Sequence, residues 1–147
     1  MKFLNCDRIL CLSAHPDDAE YGMLGTMILC EDTKFDIAVM SSGGDFDGTS
    51  GDGRNEECER IWNEYLNING HFANGSHIKD KPEDEWVNII ETHYAIREYD
   101  AIMTTPNIDS HFEHRIANNI AWALIRNSPT GLVTYKTPST LEDWKPN

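Results

Sequence analysis

The sequence predicts an α/β fold, a doubly wound and mostly parallel sheet of about five strands in the order 3-2-1-4-5 with helices on both faces. Short apolar runs alternate with longer stretches of helical periodicity along the whole chain. The first run, Ile9-Leu10-Cys11-Leu12, is apolar at every position, as a parallel strand covered on both faces is. At 147 residues the chain is long enough to bury a core as one domain.

The first strand is expected from about Arg8 to Ser13. A helix follows from about Ala19 to Glu31, with Met23, Met27 and Cys30 at helical spacing. The second strand is Phe35 to Met40. A Gly/Asp/Ser-rich stretch, Ser41 to Gly53, is longer than a connector needs, which marks it as a functional loop. Arg54 opens a second helix, with Cys58, Ile61 and Tyr65 on one face and Trp62 and Leu66 beside it; Asn69-Gly70 ends it. A short strand near Gly70–Ala73 comes next. Pro82 and three acidic residues open a third helix running to Tyr99, its apolar face built from Trp86, Ile89, Ile90 and Tyr94. Ala101 to Thr104 is a strand, Phe112 to Asn127 a fourth helix, and Gly131 to Tyr135 a last strand. No periodic element follows.

Composition narrows the function classes. Asp and Glu number 25 against 12 Lys and Arg, a formal charge of −13. Such a surface repels phosphate backbones and anionic lipid, so neither nucleic acid nor a membrane surface is the expected partner. No stretch reaches the length of a membrane span. The four cysteines form no CxxC pair, Cys11 and Cys30 read as core residues, and the N-terminus is charged too early for a secretory segment. A cytoplasmic protein is expected.

Chemistry concentrates in two places. After the first strand comes Ala14-His15-Pro16-Asp17-Asp18-Ala19-Glu20, four ionisable groups in six residues at a strand-to-helix turn stiffened by Pro16. His15 and Asp18 offer an imidazole nitrogen and a carboxylate oxygen, a pair suited to zinc or another divalent ion. An N-cap would need one carboxylate and no histidine. After the fourth strand, Pro106 to His114 repeats that order, with His111 and His114 three apart on one helical turn. If strands one and four are neighbours, both clusters meet at the crevice where the sheet changes winding direction. His15, Asp18 and His114 then supply three ligands and leave a coordination position open, as a catalytic zinc site requires. His71, His77 and His93 lack such context and read as surface residues.

The first cluster resembles the sequence signature of the PIG-L/LmbE-like family of zinc-dependent N-deacetylases. His111-Phe112-Glu113-His114 resembles that family's second motif, with Glu113 in place of the usual Asp. The Arg54-x-x-Glu57 helix start resembles a feature on the substrate side of the cleft. The resemblance implies a Rossmann-like domain with zinc on His15, Asp18 and His114, and with Asp17 as general base. It implies His111 at the amide carbonyl or oxyanion, where it can donate if protonated near the acidic cluster, and an N-acetylated sugar or glycoconjugate as substrate. Arg54 and Asp45 are the candidate substrate contacts; for Arg54, an ion pair with Glu56 or Glu57 is an equal alternative. Glu113 either orients a ligand or begins the helix.

Two other readings stand beside the deacetylase. One is a Mg²⁺-binding receiver-like signalling module, with Asp109 as acceptor and Lys136 as its lysine. The other is a metal-binding but inactive family member. Members of the family continue beyond a stretch like Trp144-Lys145-Pro146-Asn147, so residues 1–147 read as a single deacetylase-like domain truncated at its C-terminus. A homo-oligomer or a more open site is the expected consequence. Metal binding is expected to be independent of that end, because all three ligands precede Asn127.

Overall fold

The computed structural model describes residues 1–42, 51–75 and 77–145. Five strands, β1 (Arg8–Ser13), β2 (Lys34–Ser41), β3 (Ile68–Gly75), β4 (Ala101–Thr104) and β5 (Gly131–Thr134), alternate with four helices, α1 (Asp18–Leu29), α2 (Gly51–Trp62), α3 (Glu83–His93) and α4 (Phe112–Ile125). The strands form one sheet in the order β3-β2-β1-β4-β5. Every neighbouring pair is parallel. This is the predicted topology.

The sheet buries both faces. Leu10, Leu12, Ala38, Met40 and Ile102 pack against Trp86 and Ile90 of α3 and Ile120, Ala121 and Leu124 of α4. Ile9, Cys11, Phe35, Ile37 and Met103 pack on the other side against Met27 of α1 and Cys58 and Trp62 of α2. Each fully buried large aliphatic or aromatic side chain contributes about 1.5–3 kcal/mol. Alternate residues of a strand serve opposite faces, so the central strands are apolar throughout. Trp62 lies flat on β3 at Gly70, where a Cβ would stand 2.2 Å from the indole ring.

Two helices end earlier than their periodicity suggests. α2 stops at Trp62 rather than Asn69, because the Asn67 amide donates to the carbonyls of Met27 (2.9 Å), Thr33 (3.2 Å) and Cys30 (3.4 Å). That anchor turns the chain into β3, which takes in Asn69 and Gly70, and Leu66 of the predicted apolar face is left exposed. α3 stops at His93, and Ile96–Glu98 forms a separate 3₁₀ turn that lets Tyr99 reach the Asp36 carboxylate at 2.9 Å. The tail after β5 is not free-standing. Thr140 bridges antiparallel to Asp109, and Leu141 N–H donates to the Ile108 carbonyl at 3.2 Å.

Candidate metal centre

β1 and β4 are hydrogen-bonded neighbours, so the two sequence clusters meet at their carboxyl ends. The β1–α1 turn is shaped by Ser13, whose hydroxyl donates to the His15 carbonyl at 2.8 Å. Asp17 follows at φ 84° and ψ −18°, the left-handed region. A non-glycine residue held there costs about 1–3 kcal/mol, strain that collects at functional sites. Asp17 occupies the N-cap position of α1 yet makes no capping hydrogen bond with its side chain. Its carboxylate is left for another task.

Asp18 turns back into the crevice. Its Oδ2 accepts the His15 backbone N–H at 2.9 Å and lies 3.3 Å from His15 Nδ1 and 3.2 Å from His114 Nε2. His114 comes from the first turn of α4, which the strand end anchors: Thr105 Oγ1 donates to the His114 carbonyl (3.0 Å) and Asn118 to the Thr105 carbonyl (2.8 Å). His111 stands over the pair, its ring centroid 4.6 Å from those of His15 and His114. One ligand atom from each of the three histidines falls within 4.8 Å of the others.

Each inner histidine has a carboxylate behind it. Glu113 Oε2 is 2.7 Å from His15 Nε2, while its Oε1 accepts the Lys79 N–H at 3.1 Å and stands 4.0 Å from His77 Nδ1. Asp109 Oδ2 is 3.1 Å from His114 Nδ1. A carboxylate on the far nitrogen fixes the ring and raises the basicity of the near one. His15 Nδ1 and His114 Nε2 thus both lie beside the same Asp18 oxygen.

The electrostatics agree with that geometry. Burial opposes ionisation of Asp18, but hydrogen bonds from His114 and His15, and then their charges, hold it well below the usual carboxylate range. Burial also opposes charge on His15 and His114, yet Asp18 prevails and raises both; Glu113 and Asp109 assist. Both imidazoles around this carboxylate therefore hold a proton more tightly than a free histidine, and a dication would compete with it. Donor types, spacing and charge fit a divalent ion. His111 behaves differently: burial first, then the charges of His15 and His114, lower its pKa. The surroundings of His111 thus favour its neutral form rather than the protonated one. Asp17 is raised by burial and by Asp18, with Arg54 and His15 opposing.

Arg54, near the start of α2, donates to the Ser42 carbonyl at 3.2 Å, at the β2 end of the same rim. Asp45 lies outside the described residues. Sequence reasoning passed over three features: Asp109 as partner of His114, the hydroxyls of Thr137 and Thr140 on Asp109, and His77 beside Glu113. Only the acid two residues before His111 left a local signal.

A family model described as PIG-L, GlcNAc-PI de-N-acetylase, matches residues 10–125. The chain belongs to this family. No curated protein sequence matches the chain. Among solved structures it is similar to N,N′-diacetylchitobiose deacetylase from Pyrococcus horikoshii, at 18% identity and TM-score 0.64, covering 92% of this chain and 62% of that one. It is also similar to a deacetylase of the A40926 pseudoaglycone (16%, TM-score 0.67, 93% and 70% covered). A third, 4-carboxy-2-hydroxymuconate hydratase from Pseudomonas putida, matches at 17% identity and TM-score 0.61, covering 84% and 55%. This PIG-L chain thus spans roughly three-fifths of the chitobiose deacetylase. No helix among its described residues is long and apolar enough to cross a membrane.

Proposed function

We propose that this chain is a zinc-dependent N-deacetylase of N-acetylated amino sugars or their conjugates, working as a single domain in the cytoplasm. The observation that carries the reading is Asp18 Oδ2 standing 3.3 Å from His15 Nδ1 and 3.2 Å from His114 Nε2, with Asp17 adjacent and uncommitted as a cap. Family membership and two deacetylases among the structural relatives support it. The four unpaired cysteines suit a reducing compartment.

His15, Asp18 and His114 would hold the metal, with Glu113 and Asp109 orienting the two rings. A zinc ion held there would supply a water acidified to a pKa of ~7 and a Lewis acid for the amide carbonyl. Asp17 takes the proton released by the attacking water and returns it to the leaving amine; its pKa, raised by burial and by Asp18, suits both directions. His111, as a neutral imidazole, donates its N–H to the carbonyl oxygen as negative charge builds there, a contact worth roughly 2.7–4 kcal/mol when well placed. Arg54 and Asp45 meet the sugar oxygens or an anionic substituent.

The receiver reading fits less well. Such modules have the strand order 2-1-3-4-5, whereas this sheet is 3-2-1-4-5 and Asp109 is occupied by His114, Thr137 and Thr140. The deciding experiment is release of free amine from a panel of N-acetylglucosaminides, with and without zinc. Metal-dependent amine release is expected. A protein that binds zinc at one per chain but releases no amine from any of them is the inactive member, and the proposal falls.

A further inference from the structure

After β5 the chain crosses the β4–α4 turn and ties itself to it. Ser110 N–H and Ser110 Oγ both donate to the Ser139 carbonyl at 2.9 Å, next to the Asp109–Thr140 bridge. The crossing brings hydroxyls to a buried carboxylate. Asp109 Oδ2 accepts from Thr137 Oγ1 at 3.1 Å and Thr140 Oγ1 at 3.2 Å, while Oδ1 accepts the His111 backbone N–H at 2.8 Å. Thr137 and Thr140 are themselves buried and locked together, Thr137 N–H donating to Thr140 Oγ1 and Thr140 N–H to the Thr137 carbonyl. Ser139 Oγ stands 3.1 Å from His114 Nδ1.

We propose that Thr137, Ser139 and Thr140 are positioning residues of the metal centre. Their hydroxyls hold Asp109 against His114, so that His114 carries its proton on Nδ1 and turns Nε2 toward Asp18 and the metal. A buried carboxylate that accepts four donors cannot rotate without leaving some of them unpaired, at about 1–3 kcal/mol each. The ring it holds is therefore fixed in both tautomer and tilt, the two things an outer carboxylate sets for a ligating histidine. Metal affinity thus depends on residues downstream of every proposed ligand. This inference rests on the metal-dependent reading, but its test measures metal binding and ring chemistry, not turnover.

The experiment compares the full chain with Thr137→Val plus Thr140→Val, which keeps side-chain shape and removes both hydroxyls. Zinc affinity is read by competition with a chromogenic chelator. The ¹⁵N shifts of the His114 ring are read in metal-free protein at a pH above its titration. The double variant is expected to lose about 10–100-fold in zinc affinity and to show mixed His114 tautomers. Thr137→Ser plus Thr140→Ser, which keeps the hydroxyls, is expected to restore both. Zinc affinity within threefold of wild type with unchanged ring shifts would overturn the proposal. If the valine pair does not fold, Thr137→Val alone carries the same test, and unchanged affinity in it is equally fatal. Wild-type protein that binds no zinc yet shows a pure His114 tautomer lost in the valine variant would sink the proposed function while leaving the latch on the ring standing.

Discussion

The two ends of the sheet each carry a buried polar cluster, and they are built on opposite principles. At the amino end, Asp36 Oδ2 accepts from Arg8 Nε (2.8 Å), Arg8 Nη2 (2.8 Å) and the Tyr99 hydroxyl (2.9 Å), and Oδ1 from the Asn69 amide (3.1 Å). The guanidinium also stacks 4.6 Å from the Tyr99 ring centroid. Arg8 also lies 3.5 Å from Glu98 Oε2, and both Asp36 oxygens are used. At the carboxyl end, three carboxylates (Asp18, Asp109 and Glu113) surround three histidines, and one Asp18 oxygen lies 3.3 Å from His15 Nδ1 and 3.2 Å from His114 Nε2. The amino-end cluster is complete as it stands and serves the fold. The carboxyl-end cluster holds acceptors and imidazoles together in a donor set that fits a divalent cation. What separates a structural network from a binding site is the direction of the donor atoms, not the amount of buried charge.

That contrast can be tested from both sides. The largest effect is expected for His114→Ala: zinc per chain by elemental analysis should fall to background and amine release with it. Retention of stoichiometric zinc would move the ligand set elsewhere. Asp17→Asn comes next. Asn tolerates the left-handed conformation as Asp does, so the fold and zinc content should persist while kcat drops about 10²–10⁴-fold. Turnover within a few-fold of wild type would place the base on another residue.

Glu113→Gln keeps the reach to His15 but weakens the charge behind the ring. It should cost about 10–100-fold in zinc affinity, with thermal stability nearly unchanged; equal affinity would return Glu113 to the role of a helix-start residue. On the opposite end, Asp36→Ala should do the reverse. It strands the Tyr99 hydroxyl and the Asn69 amide, at about 1–3 kcal/mol in all, and each kcal/mol lowers Tm by about 2–4 °C in a chain of this size. Catalysis should be unchanged, and a loss of zinc affinity in this variant would break the proposed division of labour.

The smallest expected effect is a pH dependence at the amino end. Hydrogen bonds from the backbone N–H groups of Arg8 and Asp7 hold the Asp100 carboxyl below its usual range. A lowered folded-state pKa adds stability that is present above the unfolded value of about 3.9 and disappears as pH falls through the folded value. Urea titrations of wild type and Asp100→Asn should therefore differ slightly near pH 6 and converge in strong acid. A gap that widened on acidification would contradict the assignment.

Much of the molecule was legible before folding was considered. The α/β class followed from alternating periodicities, and the order 3-2-1-4-5 was the doubly wound order in which the two clusters, after the first and fourth strands, would meet. The ligand candidates His15, Asp18 and His114 were legible because each cluster is local, a few residues at one strand-to-helix turn. The end of α2 was misplaced because Asn67, which turns the chain, acts on carbonyls about forty residues earlier. Asp109 was passed over as a partner of His114 because its hydroxyl donors lie 28 and 31 residues further along. His77 looked like a surface histidine because Glu113, its neighbour across the site, belongs to a different helix.

By itself, then, the sequence determined the class of fold and the chemical types available, since hydrophobic period and residue identity are properties of short stretches. The tertiary structure alone decided which nitrogens of His15 and His114 lie beside Asp18, and that Asp17 sits in the left-handed region and does not cap. It also decided that a segment with no periodicity of its own packs its hydroxyls against Asp109 and His114. These are matters of burial and of contacts between distant residues, and both come into being only when the chain has folded.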